Sequence, residues 1–106
     1  MEAPLALTQD ERRRELLTEA DRAEDTINAY MAEVHDSVRP LFQHFLQKLD
    51  DVRLLVRWSQ RATSTTWAER FLDFGTEEVR MAISGFERLI ALTEDDGGPA
   101  TARAIS

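Results

Sequence analysis

Apolar side chains recur at steps of three and four residues along most of this chain, and this spacing constrains its fold more than any other feature. Between residues 8 and 93 no stretch alternates apolar and polar residues over the length of a strand. A period near 3.6 residues places such side chains on one face of an α-helix. The sequence therefore predicts an all-α fold in one helical domain over residues 8–93, with a flexible N-terminus at residues 1–7 and a disordered tail of acidic and small residues at 94–106.

The first helix is predicted to begin after Thr8. The threonine hydroxyl can accept a backbone N–H of the first turn, and Glu11, three residues later, completes a capping box. An apolar stripe follows, formed by Leu16, Ala20, Ala23, Ile27, Met31, Val34 and Val38.

Pro40 interrupts the backbone signal but not the apolar pattern. A proline removes one helical hydrogen bond and disfavours helical dihedrals in the residue before it, which predicts a helix end. The stripe nevertheless continues on nearly the same side through Leu41, Phe45, Leu49, Val52 and Val56. Two alternatives follow: one long helix kinked at Pro40, or two helices joined there by a very tight corner.

Four hydroxyl residues at 63–66 mark the clearest break, because they compete with the helix for backbone hydrogen bonds. Thr66 and Glu69 form a second capping box, which predicts an antiparallel third helix. Gly75 on its inner face either permits a close helix approach or, with Thr76, breaks the helix. The residues predicted to point inward are Trp67, Phe71, Val79, Ala82, Phe86, Leu89 and Ile90.

The lengths of these segments leave two ways to close the fold. At about 1.5 Å per residue, residues 9–61 would span roughly 80 Å if straight, whereas the third helix spans roughly 40 Å. Either the chain folds sharply at Pro40 into a three-helix bundle, or a dimeric helical bundle forms. In the dimer, a second chain would cover Leu16, Ala20, Ile27 and Met31 as surplus apolar residues.

Leu54 and Trp58 form a second apolar face on the middle segment, away from Phe45 and Val52. They are predicted either to bind a partner together with Arg57, since tryptophan beside arginine is typical of interface hot spots, or to pack inside a three-helix bundle. Arg53, Arg57 and Arg61 lie at steps of four residues along one flank. They are predicted either to pair with acids on neighbouring helices or to join that partner-binding surface.

Net charge argues against direct binding to nucleic acid. The chain has 20 acidic against 13 basic residues, a formal net charge of −7, whereas binding to a phosphate backbone requires a positive surface. Five carboxylates are predicted on the outward side of the first helix, either as a solvated face or as an imitation of that backbone. These are Glu15, Glu19, Asp25, Glu33 and Asp36.

The sequence lacks the residues required for several kinds of site and segment. There is no cysteine, no apolar run near the roughly 20 residues of a membrane span, and no basic signal segment. We therefore expect no membrane association and a cytoplasmic location, and the 12 arginines to one lysine suggest a bacterial or phage genome. His35 and His44 do not share a helix face, so we expect neither a metal nor a cofactor.

The function predicted from these features is a non-enzymatic helical protein–protein interaction module. It would act as a small regulator, inhibitor or adaptor and would associate with itself as a dimer. The alternative is an acidic inhibitor that takes the place of nucleic acid on its target. A third possibility, a Mg²⁺-dependent helical phosphohydrolase, would use Asp73, Glu77 and Glu78.

Overall fold

Each apolar segment of the sequence forms one helix in the structure, a computed structural model that describes residues 8–34 and 36–95. Helix α1 spans Gln9–Met31, α2 spans Arg39–Arg61 and α3 spans Thr65–Asp95, with a single 3₁₀ turn at Asp36–Val38 before α2. The described residues contain no strand. The all-α prediction is confirmed, and the packing of the three helices is that of a three-helix bundle. The predicted flexible end at residues 1–7 and most of the predicted tail lie outside the described residues.

Helix α1 begins with the predicted capping box. The N–H of Glu11 donates to the Thr8 hydroxyl at 3.1 Å, and the N–H of Thr8 donates to the Glu11 carboxylate at 2.9 Å. The Thr8 backbone N–H lowers the pKa of Glu11 because its bond favours the charged carboxylate, and the nearby Thr8 hydroxyl lowers it further.

The chain reverses before Pro40, not at it. Helix α1 ends at Met31 and α2 begins at Arg39, so the chain reverses between these two residues. The Arg39 guanidinium donates to the Met31 carbonyl at 3.1 Å and so ties the two helix ends together. Pro40 lies in the first turn of α2, where a missing N–H costs no helical hydrogen bond.

The long kinked helix is therefore a wrong alternative, and so is a corner at Pro40. The helical spacing of apolar residues continues between α1 and α2 because Val34 is buried in the connection and Val38 packs against the core. These two residues cover the end of the core without belonging to an α-helix.

Helix α1 is covered by its own chain. Leu16, Ala20, Ile27 and Met31 are each no more than 9% exposed, because the reversal after Met31 returns α2 along the length of α1. The expectation that these four residues form a surplus for a second chain is wrong, and they belong to the core of the bundle.

Aromatic rings from all three helices meet near the corner. The Tyr30 ring of α1 lies 5.2 Å from Phe42 of α2 and 5.7 Å from Phe86 of α3, and the last two are 5.8 Å apart. Such tilted and edge-on contacts stabilise a core beyond the area they bury. At the other end, Arg13 of α1 donates at 2.7 Å to Ser59 of α2, a buried polar side chain.

Helix α3 begins two residues earlier than the predicted capping box indicates. The Ser64 hydroxyl accepts the N–H of Trp67 at 3.1 Å, so Ser64, and not Thr66, caps the helix. Trp67, predicted to point inward, is 54% exposed, while Ala68 and Leu72 take the buried positions.

Gly75 does not break α3, which supports its reading as a site of close approach. A Cβ at this position would lie 3.3 Å from a terminal methyl of Leu16 on α1. The second close approach is at Gly85, where a Cβ would lie 2.6 Å from the ring of Phe45 on α2. Both glycines allow neighbouring helices to pack close to the α3 backbone.

We expect Gly85→Ala to lower the free energy of unfolding by about 1 kcal/mol or more, because overpacking against a ring exceeds the gain of about 1 kcal/mol in helix propensity. Gly75→Ala is the matched control and is expected to be neutral or slightly stabilising, since the Leu16 methyl can move by the small distance needed. Urea denaturation followed by circular dichroism measures both variants. Equal stability of the two variants would contradict the close approach at Gly85.

Candidate interaction surface

Helix α3 is apolar over a wider arc than the bundle covers. One side, which includes Leu72, Val79 and Phe86, is buried. Beside it, Trp67, Phe74 and Met81 follow one another at intervals of seven residues and are 54%, 63% and 46% exposed. Since residues seven apart lie on the same side of a helix, these three side chains form an exposed apolar row.

Helix α2 extends this row. Leu54 and Trp58 are 39% and 45% exposed, and the Trp58 ring lies 5.9 Å from Phe71, which lies 5.9 Å from Trp67. Leu54, Trp58, Phe71 and Phe74 line one shallow groove between α2 and α3. We call the whole surface the apolar face and define it as Leu54, Trp58, Trp67, Phe71, Phe74 and Met81.

The sequence located only part of this face. Leu54 and Trp58 lie at the surface and are not packed inside the bundle. The sequence pattern predicts no role for Phe74 and Met81, and it predicts Trp67 in the core. The seven-residue spacing of Trp67, Phe74 and Met81 is the signal that could have found them.

Arg53 does not belong to the face. Its guanidinium donates at 2.8 Å to Asp21 of α1, to Glu24 of α1, and at 2.9 Å to Asp50. The bond to Asp21 above all, and then that to Glu24, raise the pKa of Arg53 further above its ordinary value. Of the two expectations for Arg53, pairing with acids on a neighbouring helix is the one that the structure shows.

Arg57 and Arg61 are exposed, and neither forms an ion pair with any residue in the described part of the chain. They follow Leu54 by three and seven residues and so adjoin it on α2. On α3, the Arg70 guanidinium lies over the Trp67 ring, 5.4 Å from its centroid. Cations that can form new contacts therefore border the apolar face.

The predicted row of carboxylates on α1 is incomplete. Glu15, Glu19 and Asp25 are exposed on α1, but Glu33 and Asp36 lie beyond its end, in the connection to α2. Two arginines, Arg14 and Arg22, lie beside Glu15 and Glu19 around one depression. The expectation of five carboxylates on one helix is therefore wrong, because α1 ends earlier than its apolar phase suggested.

The three carboxylates considered for Mg²⁺ do not converge. They pair with three different cations: Asp73 with Arg12 at 2.7 Å, Glu77 with Arg80 at 2.5 Å, and Glu78 with Lys48 at 3.6 Å. Across the described residues, no group of three potential metal ligands forms. His44 is exposed on α2, and His35 lies outside the described residues.

Comparisons with known family models, curated proteins and solved structures find no match to this chain. Within the residues that the structure describes, no helix has the length and apolar character required to cross a membrane.

We expect Phe74→Ala to change the free energy of unfolding by no more than about 0.5 kcal/mol in dilute solution, because this side chain is mostly exposed. Leu72→Ala, two positions away and fully buried, should cost about 2–5 kcal/mol. Thermal unfolding at low protein concentration compares the two variants. A Phe74→Ala loss as large as that of Leu72→Ala would show that Phe74 belongs to the core.

Proposed function

We propose that this chain is a non-enzymatic helical protein–protein interaction module that acts by offering the apolar face to another protein. It serves as a small regulator, inhibitor or adaptor, and it associates with itself through the same face. The observation that carries this proposal is the exposed row of Trp67, Phe74 and Met81, continuous with Leu54 and Trp58. Its cytoplasmic location and its bacterial or phage origin are further predictions from composition.

The size of the face supports a docking role. Aromatic side chains bury about 150–250 Å² each when fully covered, so the three half-exposed ones, Trp58, Trp67 and Phe74, leave roughly 100 Å² apiece, or about 300 Å². Leu54, Phe71 and Met81 add to this area, which therefore lies in the range of about 300–600 Å² for the largest apolar patch of a soluble monomer. A standard interface covers about 800 Å² per partner, so we expect a moderate affinity, in the micromolar range.

The composition of the face also supports this role. Tryptophan, phenylalanine, methionine and arginine are enriched where proteins bind one another, and tryptophan and arginine dominate binding energies. Trp58 and Trp67 are the two tryptophans of the chain, and both lie on this face. Arg57, Arg61 and Arg70 border it.

The two alternatives have less support. Phosphate imitation needs a continuous acidic surface, whereas the α1 carboxylates are interrupted by Arg14 and Arg22. Phosphohydrolase chemistry needs convergent carboxylates, whereas Asp73, Glu77 and Glu78 are directed to separate cations.

The test is self-association measured by light scattering over a dilution series. We expect a reversible dimer that Trp58→Ala weakens at least tenfold, because truncating a hot-spot tryptophan costs about 2 kcal/mol. Leu41→Ala is the matched control, since Leu41 is 53% exposed but lies in the first turn of α2, outside the apolar face.

Salt separates the two ways of binding a different protein. A complex formed through the apolar face should change little between low and high ionic strength, whereas a complex of the acidic surface with a basic target should weaken steeply. A chain that stays monomeric at every concentration, or a Leu41→Ala variant that weakens the dimer as much as Trp58→Ala, would contradict self-association through this face.

A further inference from the structure

A partly exposed side of α3 has the spacing of a coiled-coil seam. Phe71, Glu78 and Gly85 on this side are half-buried beside α2, and the other positions are exposed. From Trp67 onward, steps of four and three residues alternate without a break to the end of the helix. The residues at these positions are Trp67, Phe71, Phe74, Glu78, Met81, Gly85, Arg88 and Leu92. The first three are aromatic, and the charged or small residues come later in the helix.

The two flanks of this seam differ. On one flank, Ala68, Gly75 and Ala82 are buried within the bundle. On the other flank, Arg70 and Glu77 are exposed. Charges that can contact a second helix therefore lie on one side of the seam only.

This asymmetry selects an antiparallel partner helix. In a parallel pair, each charged flank would face the buried flank of the other helix, and Glu78 and Arg88 would each meet their own like charge. In an antiparallel pair, the charged flanks face each other, so charges of opposite sign can pair across the interface. A two-fold symmetric dimer has this antiparallel geometry when its axis crosses the helix at a right angle.

The charges also select a register. With the two-fold axis between residues 72 and 73, Phe71 of each copy packs on Phe74 of the other, and Arg70 of each copy faces Glu77 of the other. The paired length then ends before Gly85 and Arg88. A shift that moves the axis to residue 77 would bring the two copies of Glu77 together.

We propose that the apolar face binds a second copy of this chain through an antiparallel α3–α3 contact in this register, with Leu54 and Trp58 of α2 beside the contact. Arg70 and Glu77 favour a second copy of this chain as the occupant, because each can pair with the other across the two-fold axis. Elsewhere on the surface, a chain of net charge −7 repels its copies. This inference rests on the proposed function, and it adds the geometry of the dimer.

The contacts now made by the two charged residues do not oppose this pairing. Glu77 pairs with Arg80 in an exposed ion pair on the same helix, and Arg70 lies over the exposed Trp67 ring. Exposed pairs of this kind contribute little and can be exchanged for contacts across an interface.

A charge exchange within the full chain tests the register. Arg70→Glu places two acids opposite each other at both ends of the contact, and Glu77→Arg places two arginines there. Each single variant should raise the dimer dissociation constant about tenfold, whereas the double variant Arg70→Glu, Glu77→Arg should return it close to the wild-type value. Circular dichroism checks that all three variants keep the helical fold.

A single cysteine tests the orientation, since the chain has none of its own. In the antiparallel register the two copies of residue 81 lie about 25 Å apart at 1.5 Å per residue, so Met81→Cys should form no disulfide dimer. In a parallel pair the same residue meets itself and would crosslink.

Each result has one meaning. Weakening by both single variants, rescue by the double variant and no crosslink at residue 81 support the antiparallel register. A wild-type dimer without rescue, or with a crosslink at residue 81, overturns the register and leaves the apolar face as the docking surface. A wild-type chain that is monomeric throughout overturns both.

Discussion

The number of neighbouring helices limits how much apolar surface each helix of this structure can bury. In a three-helix bundle, every helix packs against two others and buries an arc of its surface, and the remaining side chains face solvent. Helix α1 stays within this limit, since its buried residues from Leu16 to Met31 form one narrow stripe. Helix α3 exceeds it, because Trp67, Phe74 and Met81 lie beside an arc that is already packed. The α3 side of the apolar face is surface that the bundle has no helix to cover.

The parts of the fold that depend on local chemistry could be predicted from sequence. The capping box at Thr8 and the buried stripe of α1 are examples, since both are set within a few residues of chain. The corner between α1 and α2 could not be predicted from the apolar spacing. Val34 and Val38 continue the 3.6-residue spacing of α1, although neither lies in an α-helix. Gly75 was equally ambiguous, since only the approach of Leu16 from another helix shows why a glycine lies there.

The apolar face could be predicted from sequence only on the helix whose apolar residues form a narrow stripe. On α2, Leu54 and Trp58 lie opposite a clear core stripe, so their exposure followed from periodicity. On α3, the wide apolar arc hides which part is buried, so the pattern wrongly predicts Trp67 in the core. The exposed apolar surface lies on α3, whereas the sequence pattern predicts it on α1.

Tryptophan fluorescence tests the central claim most directly, because Trp58 and Trp67 are the chain's two tryptophans and both lie on the apolar face. Acrylamide quenching is measured while the protein concentration is raised from nanomolar to high micromolar. An exposed apolar face predicts strong quenching in the dilute protein and progressive protection as the chains associate. Protection of both tryptophans at the lowest concentration, or quenching that stays strong and unchanged at the highest, would contradict it.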